Sequence, residues 1–124
     1  MIDFDNAAFV KLRPADGKAY AADLAKLLLP GEEVIAAFQG MRDGVVFTGK
    51  RVIAINVQGM TGRKRDFTSL PYSKVQVFSV DTAGAMDLDS ELDLWFSGLG
   101  KVRFCFALDV NVHQLAALIG GFVL

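Results

Sequence analysis

The sequence predicts a mainly β domain with capping helices. Its expected form is a seven-stranded antiparallel, partly open barrel closed by a C-terminal amphipathic helix, with a short N-terminal helix in front. Three observations predict this. From Glu33 to Ala107, apolar and polar residues alternate across seven short runs, the period of half-buried strands. From Asn111 the spacing becomes helical, and one end of a small barrel is the only partner left for that helix's apolar face. The length of 124 residues, 52% of them apolar and ten of them Phe, suits one domain with a full core and apolar surface to spare.

Taken in order, residues 1–14 are mixed, end in Arg13-Pro14 and read as an irregular lead-in. Asp16 can cap a helix over 16–29, with Tyr20, Leu24, Leu27 and Leu28 on one stripe, and Pro30-Gly31 stops it. The barrel spans 33–107. Val34–Gln39, Val45–Thr48 and Arg51–Gln58 are three short strands separated by glycine-containing turns. Arg63–Leu70 is more polar, so one of its faces is solvated. Lys74–Val80 follows the Pro71 break, and Asp81–Asp87 is a loop.

In the sixth strand Leu92, Leu94 and Phe96 share a face, and in the seventh Val102, Phe104 and Phe106 do. A two-residue turn would set Phe96 against Lys101 and mix the faces, so a three-residue Gly98–Gly100 loop is expected. That register places Trp95 across from Arg103, within reach of a cation–π contact. The last helix spans 111–120, with Asn111 as N-cap, Leu115, Leu118, Ile119 and Phe122 as its apolar stripe, and Gly120-Gly121 as its stop.

Composition also excludes classes of function. Thirteen Lys+Arg against fourteen Asp+Glu leave a net charge of −1, which argues against general nucleic-acid binding. Cys105 is the only cysteine, so no intramolecular disulfide can form and a reducing cytoplasm is the expected setting. The N-terminus lacks the basic and apolar regions of a signal peptide, and no apolar run approaches the ~20 residues of a membrane span.

Several motifs recur in an order that resembles the bacterial pleckstrin-homology (PH) domains. They are Arg42-Asp43-Gly44, Phe47-Thr48-Gly49-Lys50-Arg51-Val52-Ile53 and Gly59-Met60-Thr61-Gly62-Arg63-Lys64. Leu70-Pro71-Tyr72-Ser73-Lys74-Val75, Val80-Asp81-Thr82-Ala83-Gly84 and Asp87-Leu88-Asp89-Ser90-Glu91-Leu92 continue the series, which covers roughly residues 16–120. The resemblance implies the PH-like superfold. It also implies assembly into homo-oligomeric rings, with five-fold symmetry as one expectation. It assigns no chemistry, because the family is largely of unassigned function.

An independent sign of assembly lies in the third strand. Val52 and Ala54 face one way and Ile53, Ile55 and Val57 the other, so both faces are apolar. The second face needs the N-terminal helix or a neighbouring subunit. Ile53, Ile55, Val57, Trp95 and Arg103 are therefore the candidate oligomer interface.

Eukaryotic relatives of the superfold bind phosphoinositides through a basic motif between the first two strands. Here that connection, Gln39 to Gly44, holds only Arg42 beside Asp43. A literal match, Lys50 with Arg63-x-Arg65, sits past the second strand. Lys50, Arg51, Arg63, Lys64 and Arg65 are the candidate anion or phospholipid-headgroup site, although a solvated edge strand is the preferred reading.

Asp87, Asp89, Glu91 and Asp93 occupy every second position, where Ca²⁺ could find carboxylates. The spacing lacks an EF-hand's turn and terminal Glu, so a solvated rim opposite Lys101 and Arg103 is preferred. His113 has no metal-ligating neighbours, Cys105 reads as a filler rather than a nucleophile, and Asp43 as a turn-fixing acceptor. No catalytic set, cofactor or metal site is expected. The reading that results is a non-enzymatic scaffold with an unidentified protein partner besides itself. A peripheral membrane or anionic-ligand module is the alternative.

Overall fold

A computed structural model describes residues 1–7, 9–16, 18–84 and 89–124. Four antiparallel strands in chain order, β2 (Val34–Gln39), β3 (Gly44–Thr48), β4 (Arg51–Gln58) and β5 (Lys64–Pro71), form one sheet. A two-residue strand, β1 (Arg13–Pro14), extends it on the β2 side. Strands β6 (Val75–Asp81), β7 (Ser90–Phe96) and β8 (Gly100–Phe106) form a second, three-stranded sheet.

The seven predicted strands are all present, within a residue or two at their ends. Their period-2 patterns turn one face of each sheet inward. Phe38, Phe47 and Val52 from the first sheet thus meet Leu94, Phe104 and Phe106 from the second in one core. Phe38 and Phe106 cross between the sheets edge-on, with centroids 5.1 Å apart.

The barrel is partly open. Between β5 and β6 no ladder forms. Between β8 and β2 the gap is closed by residues 9–15, which sequence patterning presented as an irregular lead-in. They form an ordered strap. The Cys105 N–H donates to the Phe9 carbonyl at 2.8 Å, Leu12 N–H to the Cys105 carbonyl at 3.0 Å, and Ala15 N–H to the Ala37 carbonyl at 2.9 Å. Ile2, Phe9 and Leu12 are buried in the core. No periodicity announces them, because apart from the two residues of β1 the strap is neither strand nor helix and drops single side chains inward.

The N-terminal helix is also shorter than expected: α1 spans only Ala21–Leu24. The Asp16 side chain accepts from Lys18 N–H, and the Asp16 carbonyl accepts from Ala19 N–H. The expected cap therefore closes a tight turn of its own. Past α1, i→i+3 bonds from Lys26 and Leu27 tighten the chain further.

This segment nonetheless performs the packing role its stripe predicts. Tyr20 and Leu24 cover Ile53, Ile55 and Val46, with Leu28 packed alongside. The second apolar face of β4 is thus buried within the chain. Of the candidate interface, Ile53 and Ile55 are fully buried and out of reach of a second copy, while Val57 stays half-buried.

The C-terminal helix α2 spans Val112–Val123 and lies against β6 and β7, burying Val112, Leu115 and Ile119. Asn111 is its N-cap, accepting from the His113 and Gln114 N–H groups at 3.1 and 3.2 Å. Gly120-Gly121 does not stop it. The helix continues because Phe122 stacks on Tyr72, with centroids 4.5 Å and planes 8° apart.

The β7–β8 hairpin has a three-residue loop, but it is Ser97–Leu99, so the register is two residues from the expected one. Trp95 pairs with Lys101 and Arg103 with Asp93. The faces stay consistent, as parity demands, and positive φ at Gly98 and Gly100 forms the turn. Arg103 here bonds a carboxylate instead of resting on an indole.

Candidate functional site

The five candidate anion-binding residues do not converge. Lys50 and Arg51 sit at the β3–β4 turn, whereas Arg63, Lys64 and Arg65 sit at the other end of β4, roughly 20 Å away at the rise of an extended strand. Two of them have structural partners. Arg51 donates through Nε to Glu32 Oε2 at 2.9 Å and through NH2 to Oε1 at 2.9 Å, with further bonds to the Leu27 carbonyl and Ser69. Arg65 pairs with Asp23 at 2.7 Å.

Burial alone would push the Glu32 carboxyl up. The Arg51 guanidinium, the Leu29 N–H and the Thr48 hydroxyl outweigh that and hold its pKa at about 2. Glu32 is therefore a buried anion locking the start of β2 to the β3–β4 turn.

At the opposite end two neighbouring hairpins, β2–β3 and β4–β5, carry Met41 and Met60 at their tips, both fully exposed. Arg42 reaches between them and donates to the Gly59 carbonyl. Asp43 accepts from Asn56 Nδ2 at 2.7 Å and from the Val57 N–H, so its carboxylate ties the β2–β3 turn to β4. Burial outweighs those bonds and leaves its carboxyl above the ordinary range. Arg63 and Lys64 are exposed beside these tips and make no ion pair among the described residues.

The acidic row resolves into a rim closed by a base. Asp81, Glu91 and Asp93 come within 4.8 Å of one another, and Asp87 lies outside the described residues. Arg103 grips Asp93 at two points, Nε–Oδ1 2.8 Å and NH2–Oδ2 2.9 Å, with Glu91 at 3.5 Å. Hydrogen bonding to Asp93 raises the Arg103 pKa, so the cluster already holds a permanent cation. Trp95 is half-buried and His113 exposed. Burial pushes the half-buried Cys105 thiol up, which suits a filler better than a nucleophile.

The feature that sequence reasoning missed is a groove of about 540 Å³ between the outer edge of β2 and α2. Strap and β1 pair with β2 only from Ala37 onward, so the outer edge of Val34–Ala36 has no strand beside it. A bulge makes Ile35 the extra residue opposite β3. Its side chain is 50% exposed and overlooks Ala36, Val110, Leu115 and Leu118, with Asp109 and Gln114 on the rim. A shallower cavity joins Ile35 to Phe122 across Glu33 and Lys50. The alternation of β2 gave no sign of it, because a bulge shows only in the pairing.

The strand order, strap and helix cap can be set beside known proteins. The bacterial PH domain family matches residues 3–123. The chain belongs to that family. Among solved structures, a DUF1696-family protein with a PH domain from Shewanella loihica PV-4 is similar at a TM-score of 0.77 and 34% identity, covering 93% of this chain and 99% of that one. A PH domain from Shewanella amazonensis SB2B gives 0.69 and 36%, covering 96% and 93%. The uncharacterized protein YjqA of Bacillus subtilis is 46% identical over 105 residues, 83% of this chain and 84% of the relative. Among the described residues of this PH domain, no helix is long and apolar enough to cross a membrane.

Proposed function

We propose that this bacterial PH domain is a non-enzymatic interaction module that assembles with copies of itself into a ring and serves as a scaffold, in the cytoplasm. The groove beside Ile35 is the observation behind this reading. It replaces the argument from β4, whose second face is covered internally. A concave groove is filled most fully by a different, convex surface, although the free strand edge beside it is also able to pair with its own copy across a two-fold axis. In the ring we propose, it takes such a surface of the next copy, a head-to-tail contact that gives a ring when the rotation between copies closes. The half-exposed Ile35, with Leu118 and Phe122, supplies apolar area at about 25 cal/mol per Å² buried. Non-enzymatic action is supported by Arg51, Arg65 and Arg103, which are held in structural pairs with Glu32, Asp23 and Asp93.

Size-exclusion chromatography with light scattering at tens of micromolar tests the proposal. The wild type should elute as a closed oligomer, five subunits being one expectation, and Ile35→Lys with Leu118→Lys should give a folded monomer. A monomeric wild type overturns it.

One observation favours a second reading as a peripheral membrane module. Met41 and Met60 project from adjacent tips beside Arg63 and Lys64, an arrangement suited to an anionic lipid surface. This retains two of the five basic candidates and drops Lys50, Arg51 and the Asp23-paired Arg65. Sedimentation with anionic vesicles would show binding that is lost in Met41→Gln/Met60→Gln and in Arg63→Ala/Lys64→Ala. Equal sedimentation of all forms would end it.

A further inference from the structure

We infer that the open seam between β5 and β6 is a strand-addition site for an extended peptide segment carrying an acidic side chain. The seam lies at the far edge of the five-stranded sheet from the Ile35 groove, so this inference is independent of ring assembly. Strand β5 pairs only with β4 and β6 only with β7, so no ladder joins their outer edges. Met1 and Ile2 lie against the Asp66–Thr68 end of β5, with the Met1 amine on Asp66 at 3.1 Å and Ile2 N–H on Thr68 Oγ1 at 3.1 Å, which leaves the edge free from Ser69 onward. Where β5 and β6 diverge there is a cavity of about 590 Å³, within the usual range of ligand sites. Its floor is apolar, formed by Leu70, Val75 and Phe96 from both sheets and Leu99 from the β7–β8 loop.

Two details select the occupant. The pairing of β6 with β7 shifts between Val75 and Val77, so Gln76 is a bulged residue with no partner on β7. An exposed strand edge with unpaired backbone groups is a template for another strand, and a bulge re-aims those groups. Only a second backbone offers donors and acceptors in series to both edges, which a compact small molecule does not. At 3.3 Å per residue, the stretches Ser69–Leu70 and Lys74–Gln76 would read roughly two to three residues of such a segment. Alternate side chains of the segment would fall on the apolar floor. The charge follows from Lys74, an exposed cation at the mouth with no ion pair among the described residues. A carboxylate on the segment complements it and sets its register.

The test uses the ¹⁵N-labelled full chain and an acetylated, amidated heptapeptide in which two glutamates precede alternating valine and threonine. Amide exchange at Ser69–Leu70 and Val75–Val77 should slow about tenfold on addition of this peptide. A peptide with lysines in place of the glutamates should bind at least about fivefold more weakly. Lys74→Glu should reverse that preference, which a structural role for Lys74 would not do, and Gln76→Pro should abolish the protection. Four results overturn the inference: no binding, protection confined to other strands, a preference unchanged in Lys74→Glu, or seam protection that rises with protein concentration alone. The last would assign the seam to a second copy.

Discussion

Tyr20 lies directly over the bare Cα of Gly44, so closely that a Cβ at position 44 would stand 2.1 Å from the Tyr20 hydroxyl oxygen and 2.7 Å from its ring carbon Cζ. The glycine is what admits Tyr20 to its place above Ile53 and Ile55. Gly44→Ala should therefore displace Tyr20, loosen the Lys18–Leu28 segment and cost about 1–3 kcal/mol, as forced overpacking does. Urea denaturation measures the loss. Near-ultraviolet circular dichroism should change with it, since Tyr20 moves; an unchanged midpoint and spectrum would contradict the packing.

Glu32 makes stability depend on acid. Its folded pKa of about 2 lies below its ordinary 4.5, so its contribution is complete above about 4.5 and is lost as pH falls toward 2. Arg51→Ala should cost about 3 kcal/mol near neutrality, the low end for severing a buried pair because Arg51 keeps 18% exposure. The gap between wild type and Glu32→Gln should be full at pH 6–7 and shrink by pH 3. A gap that stays constant across that range would show that Glu32 does not titrate as described.

Arg103 offers a double-mutant test of register. Coupling between Asp93 and Arg103 should be about 1–3 kcal/mol, as for hydrogen bonds to charged groups at a largely buried partner. Coupling between Trp95 and Arg103 should stay below about 0.5 kcal/mol. The reverse order would restore the cation–π register.

The strap should behave as core. Phe9→Ala is expected to cost about 3–5 kcal/mol and Leu12→Ala about 2–5 kcal/mol, like other large buried side chains. Thermal unfolding that leaves either variant within a degree of wild type would contradict the placement.

Strands were legible because burial on a sheet face repeats every second residue, as Leu92, Leu94 and Phe96 illustrate. Features set by pairing were not. The bulges at Ile35 and Gln76 and the two-residue offset of Arg103 depend on which residue lies opposite, which alternation leaves open. The Tyr20–Leu28 stripe identified the covering segment but overstated its helix, because Asp16 bonds Lys18 and Ala19 in a separate turn. Among the basic residues, Lys64 and Arg65 lie on β5, the edge strand of its sheet. No linear pattern could show that Arg51 is held by Glu32.

The strap also dictates an order of events during synthesis. Phe9 and Leu12 are made first, yet the backbone they bond belongs to Cys105 and Ala107, at the end of the last strand. A nascent chain must hold these apolar residues without their partner until almost the whole domain has left the ribosome. The contacts that close the barrel between the strap and β8 therefore form only once β8 is available.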